Sequence, residues 1–183
     1  MIGIAVAVVI GAIVALAGSD GSTTVGWLPV FALCAGLAYL INWLVFIPSN
    51  MLQTERYFDL TGSLTYLTVT AVALLLNPEI DARAWIAGAM VAVWAARLGT
   101  FLFRRIRRDG RDGRFDEIKR DSVRFLMTWT LQGLWVLLTA ASALAIMTSL
   151  EIKPIGWVGL VGIIVWIAGF TIEVVADRQK SRF

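Results

Sequence analysis

The chain has 183 residues, of which 58% are apolar and 16% charged, with no histidine, one cysteine and a formal net charge of +3. A soluble domain carries about 25% charged residues, so a mean hydropathy of +0.78 excludes a water-soluble globule, a disordered chain and a nucleic-acid-binding module. The lack of histidine removes the commonest general base and metal ligand, so no metal site is expected and acid–base chemistry falls to Glu, Asp, Tyr, Lys, Arg or water.

A bilayer-spanning helix needs about 20 apolar residues. Six segments meet or approach this: 2–17, 27–47, 60–76, 84–103, 123–147 and 155–176. The first is short, and Ala15, Leu16 and Ala17 resemble a signal-peptide cleavage site. No basic residue precedes them, so a retained helix is expected. The second carries Cys34 inside its apolar run, which reads as a packing residue. Pro48, Ser49 and Asn50 close it; Asn77 and Pro78 close the third. The fifth is long enough to tilt or to begin outside the lipid, and Lys153 and Pro154 end it. Gly156, Gly159 and Gly162 open the sixth with small residues suited to close helix packing. No segment has the two-residue period of a barrel strand. The expected fold is an all-α integral membrane protein, one domain over 1–183, with a bundle of six transmembrane helices, or five if the first is a cleaved signal.

Six spans put the loops 48–59 and 104–122 on the same side as both termini. That side holds thirteen Lys and Arg residues against two, Arg83 and Lys153, on the other, with Arg97 inside the fourth span. The positive-inside rule makes the basic side cytoplasmic. The Arg-rich loop 104–122 interleaves Arg104, Arg105, Arg107, Arg108, Arg111 and Arg114 with five acids. Asp109-Gly110 and Asp112-Gly113 predict tandem turns there. The arginines suit either lipid headgroups or a bound phosphate.

Polar residues inside the spans fall at helical spacing. Asp59, Ser63, Tyr66 and Thr70 share a face of the third span, with Glu55 a turn earlier. Tyr39, Asn42 and Phe46 do so on the second, and Trp94, Arg97 and Phe101 on the fourth. Thr128, Gln132, Trp135, Thr139 and Ser142 align on the fifth, and Trp166, Gly169, Glu173 and Asp177 on the sixth. One reading is a cavity open to the cytoplasm, its mouth carrying Glu55, Asp59, Arg97, Glu173 and Asp177. The other, for Ser, Thr and Gln, is ordinary hydrogen bonding between helices. An ionised side chain in hydrocarbon costs about 2.5–3.5 kcal/mol or more, so Arg97 is expected to pair with an acid, Glu173 or Asp59.

Four stretches carry a resemblance. They run from Gln53 through Glu55, Tyr57 and Asp59 to Gly62; from Trp94 through Arg97 and Gly99 to Gly110 and on to Asp112, Arg114 and Phe115; from Thr130 through Gln132 to Trp135; and from Gly169 through Glu173, Asp177, Gln179 and Lys180 to Phe183. Together, over roughly 50–183, they resemble the steroid 5-alpha-reductase-type membrane family, and more closely its uncharacterised bacterial branch. The resemblance implies a bacterial plasma-membrane oxidoreductase. It would use NADPH from the cytoplasm to reduce an activated C=C bond in a lipid or steroid-like substrate. It assigns catalysis to Glu55, Tyr57 and Asp59, with a carboxyl of raised pKa or a tyrosine as proton donor. Trp94 stands near the family's tyrosine, which leaves Tyr57 or Tyr66 to replace it. Cofactor contacts carry over to Arg97, Arg114, Gln132, Glu173, Asp177, Gln179 and Lys180. Family members continue with further cofactor-binding motifs that do not follow Phe183, so the resemblance implies an incomplete chain, or a second chain that supplies them. The competing expectations are a membrane methyltransferase of the isoprenylcysteine type using S-adenosylmethionine, and a non-catalytic membrane subunit.

Overall fold

The computed structural model describes residues 1–110 and 112–180, with the backbone alone for Asp109 and Lys180. Its helices are α1 Ile2–Gly18, α2 Val30–Met51, α3 Phe58–Leu76, α4 Ala82–Asp109, α5 Ser122–Thr148 and α6 Trp157–Lys180. Five are long and apolar enough to cross a membrane, and α1 is a shorter apolar helix. The protein is thus a helical membrane protein.

The boundaries follow local chemistry. The second helix starts at Val30 rather than at residue 27, because Thr24–Val25 and Leu28–Pro29 pair as a two-residue hairpin around Gly26, whose φ is +63°. It also runs past Pro48 to Met51, since a proline in the last turn removes only one backbone bond. Asp81 caps α4 by accepting from the Ala84 N–H. At the other end the arginine run continues α4 beyond residue 103, and Gly110 stops it at φ +78°. Asp109-Gly110 is therefore a helix cap rather than a separate turn. Asp112 begins a short 3-10 turn, Gly113–Phe115, by accepting from the Arg114 N–H. Asp121 caps α5 through the N–H groups of Val123 and Arg124.

Helix α5 stands at the centre, packed on α1, α2, α3 and α4. Trp129, Phe125, Leu137, Leu144 and Met147 of α5 are fully buried with Phe31 of α2. Close approach depends on glycine at two crossings. A Cβ at Gly133 would meet the Ala38 carbonyl at 3.0 Å, and one at Gly99 would meet Ser63 Cβ at 2.5 Å. Helix α6 differs from the rest: none of its span is buried, against 44% for α5.

Most intramembrane hydroxyls spend their proton within their own helix. Thr61, Thr65, Thr68, Thr128 and Thr139 each donate to the carbonyl four residues earlier. The donors that tie one helix to another are larger groups. Tyr39 donates to the Ala7 carbonyl at 2.7 Å, and Trp43 to Thr130 at 3.0 Å. Gln132 donates to Asn42 and to the Phe58 carbonyl, both at 2.9 Å.

Candidate functional site

The stripe Trp94, Arg97 and Phe101 on α4 faces α6. Arg97 bonds Glu173 at 2.7 Å and Asp177 at 2.5 Å, one guanidinium nitrogen to each. The other Glu173 oxygen accepts from Trp94 Nε1 at 2.9 Å. The Arg97 guanidinium also lies 5.6 Å from the centre of the Phe170 ring, which stacks on Trp166. The expected acid partner of Arg97 is therefore Glu173, with Asp177 beside it. The intramembrane charge is compensated, as its cost in hydrocarbon demands.

Two clefts meet at this cluster. On the Arg-rich side a cleft of about 1340 Å³ is lined by Arg97, Arg104, Arg105, Arg108, Arg114 and Arg178, with Asp112, Asp177, Phe101 and Phe170. Toward the lipid a cleft of about 820 Å³ lies between α4, α5 and α6, mainly apolar, with Trp94, Trp135, Trp166 and Phe170 in its walls. Its few polar groups include Tyr66, Thr139 and Glu173. Tyr66 Oη lies 2.5 Å from Thr139 Oγ1, and its ring sits edge-on to Trp94 at 4.9 Å. Thr139 spends its own proton on the Trp135 carbonyl, so the bond to Thr139 is donated by Tyr66.

The connection from α4 to α5 folds back over the start of α3. Glu55 is buried beneath it, accepting the Asp112 N–H at 3.0 Å and Lys119 Nζ at 2.8 Å. Burial pushes the Glu55 carboxyl up, but the Lys119 and Asp112 bonds outweigh it and hold the group below the ordinary carboxylate range. A carboxylic acid donor needs the opposite direction. Asp112 grips Arg114 through Nε at 3.0 Å and Nη2 at 2.5 Å, and lies 3.7 Å from Arg105. The Arg114 hydrogen bond keeps the Asp112 carboxyl low despite partial burial. Asp59 sits 3.7 Å from the same Arg105 nitrogen. Phe115 anchors the loop in an aromatic cluster, 5.0 Å from Phe58.

The anticipated mouth is therefore split. Arg97, Arg114 and Asp177 line the basic cleft, Glu173 lines the apolar one, and Asp59 braces Arg105. Glu55 lies under the loop and in neither wall. Tyr57 is exposed and borders a separate hollow with Arg56 and Phe103. Gln132 is a tie inside the bundle, packed on Gly62 and away from both clefts. Gln179 is exposed and outside both linings, and the Lys180 side chain lies outside the described residues. Sequence reasoning missed Arg104, Arg105 and Arg108 as wall residues. Their signal was present: positions 97, 101, 104, 105 and 108 continue one helical stripe once α4 is extended to Asp109.

Residues 45–183 match a family described as protein of unknown function (DUF1295). No curated protein and no solved structure matches the chain.

Proposed function

The chain belongs to the DUF1295 family, whose match takes in every residue of both clefts, and from that premise we propose a membrane-embedded reductase. It reduces an activated C=C bond of a lipid or steroid-like substrate with NADPH as the electron donor. In this reading the protein lies in a bacterial plasma membrane with its Arg-rich side and both termini in the cytoplasm. One observation carries the proposal: a basic cleft and an apolar cleft share a wall. Phe170 lines both, and Arg97 of the first is bonded to Glu173 of the second. A water-soluble anionic cofactor and a membrane-dissolved substrate have to meet at such a junction.

The basic cleft suits the cofactor. Six arginines line it with two aspartates, and even with Glu173 and Asp59 pairing from outside its wall the cleft stays basic, with guanidinium groups that match phosphate geometry. Phe101 and Phe170 add flat apolar surface for a planar ring system. Arg105 and Arg114 would hold phosphates, and Arg97 would stand at the boundary with the substrate. When bound, NADPH supplies a hydride. The chain's own residues supply the apolar walls that exclude water and a proton. That proton sits on Tyr66 Oη, on the lipid-side cleft, where a substrate carbonyl oxygen takes the place of Thr139 as acceptor. With Glu173 held by Trp94 and Arg97, its role is to fix the shared wall rather than to move protons.

The test uses the full chain in detergent, titrated separately with NADPH and with S-adenosylmethionine. The proposal expects micromolar NADPH binding that weakens in Arg105→Ala and in Glu173→Gln. Binding of S-adenosylmethionine alone would move the assignment to a methyltransferase, and binding of neither would favour a non-catalytic subunit.

A further inference from the structure

We infer that Glu55 is a positioning residue, clamping the α4–α5 connection so that Arg105 and Arg114 stand together in the basic cleft for a phosphate. This rests on the reading of that cleft as the NADPH phosphate site.

The chain of contacts runs in one direction. Glu55 is buried at 4% exposure, and its two oxygens hold the connection at two points, the Asp112 backbone and the Lys119 side chain. With its backbone fixed, Asp112 presents its carboxylate to Arg114 in a two-pronged grip and lies within ion-pair distance of Arg105. Arg105 and Arg114 both line the basic cleft, whereas Glu55 does not. The Arg114 side chain is otherwise 67% exposed. A long exposed side chain loses much rotamer freedom when it binds a ligand, and ordering it beforehand reduces that loss. Phe115 anchors the adjacent backbone among Phe58, Phe125 and Trp129. The aromatic anchor keeps the loop seated, and the ionic one sets where its arginine points. Glu55 thus acts on phosphate affinity through Asp112 and Arg114, without touching substrate.

The experiment uses the full chain in detergent and compares the wild type with Glu55→Ala, Glu55→Gln, Arg114→Ala and the Glu55→Ala/Arg114→Ala double variant. NADPH dissociation constants are measured, together with amide hydrogen exchange across 112–116. Glu55→Ala is expected to weaken NADPH about tenfold, the scale of one charge-assisted contact. Glu55→Gln keeps an acceptor for the Asp112 N–H and should recover most of that loss. The double variant should fall well short of the sum of the two single losses, because both changes act on the Arg114 contact. Two independent, additive losses would overturn the inference, as would unchanged NADPH affinity with lowered turnover, the mark of a catalytic Glu55. If the wild type binds no NADPH, the cofactor reading fails. The exchange measurement then judges the clamp alone: faster exchange at 112–116 in Glu55→Ala upholds it, and unchanged protection overturns it.

Discussion

Arg97 of α4 and Glu173 of α6 meet at 2.7 Å, joining the bundle to a helix whose span is otherwise unburied. Asp177, one turn further along α6, shares the same guanidinium at 2.5 Å. The pair is asymmetric as a result. Arg97→Gln leaves two carboxylates four residues apart with no cation between them, and like charges at that spacing repel. Glu173→Gln keeps the bond between Arg97 and Asp177, and its amide oxygen still accepts from Trp94. Thermal unfolding in detergent should therefore fall by about 2–4 °C in Arg97→Gln, the shift that goes with about 1 kcal/mol at this chain length. It should fall by clearly less in Glu173→Gln. Equal falls would mean that Asp177 does not hold Arg97.

Glu55 has an ordinary value of 4.5, and its contacts with Lys119 and Asp112 hold the folded group below this. A carboxyl lowered on folding binds fewer protons folded than unfolded. It therefore stabilises the fold above its unfolded value, and the contribution is lost as pH falls through the folded one. The difference in melting temperature between wild type and Glu55→Gln should be constant from neutral pH to about pH 5. It should shrink as the pH is taken below 4.5. A difference that instead grew on acidification would mean that Glu55 is protonated in the native protein.

Hydropathy alone located the six helices, because burying apolar surface and satisfying backbone groups leaves a membrane chain few alternatives. The partner of Arg97 was also legible, since an intramembrane cation restricts its neighbours to acids. The helix ends were less legible. The arginine run reads as a loop by composition, yet Gly110 rather than Arg104 stops α4. That error hid the stripe through Arg104, Arg105 and Arg108. Gln132 misled in a different way. A polar residue on an inward stripe is equally suited to a cavity or to a helix tie, and only its distance to Asn42 separates the two. The fold-back that buries Glu55 depends on contacts more than fifty positions apart, Glu55 to Asp112 and to Lys119, which no local pattern encodes.

Tyr57, at the start of α3, and Tyr66, at its middle, should separate in function. Tyr66 lines the apolar cleft, and Tyr57 is exposed beside a different hollow. Replacing Tyr66 with Phe removes the hydroxyl while keeping the ring against Trp94. Loss of a general acid typically costs about 10²–10⁴ in rate, so turnover of an enone lipid should drop by at least about a hundredfold in Tyr66→Phe. Tyr57→Phe should stay within about twofold, on the exposed-site expectation of small effects. Equal turnover in both variants would remove Tyr66 from the reaction.

Orientation is accessible to labelling, because Cys34 is buried and should be silent to a membrane-impermeant maleimide. Glu151 lies in the connection between α5 and α6, and Arg120 in the Arg-rich connection before α5. In intact cells Glu151→Cys should label from outside, while Arg120→Cys should label only after permeabilisation. The reverse pattern would put the basic cleft outside and away from cytoplasmic NADPH.

Two glycine substitutions should move stability in opposite directions. Gly36 of α2 is exposed, and a Cβ there meets nothing within 4 Å. Gly36→Ala should therefore gain about 0.5–1 kcal/mol from the lower flexibility of alanine in a helix. At Gly99 the same change places a Cβ 2.5 Å from Ser63 Cβ and 2.6 Å from its Oγ, where the helices α3 and α4 cross. Overpacking costs about 1–3 kcal/mol, more than the helix preference returns. Helix α4 must then shift, and its stripe from Arg97 to Arg108 shifts with it. Gly99→Ala should lower the melting temperature and weaken NADPH binding, although residue 99 touches neither cleft wall. Ser63→Gly removes the atoms that collide, so the Gly99→Ala/Ser63→Gly pair should recover binding even where the added glycine keeps stability low. Binding that fails to recover in the double variant would mean that the crossing at Ser63 does not set the position of the arginine stripe.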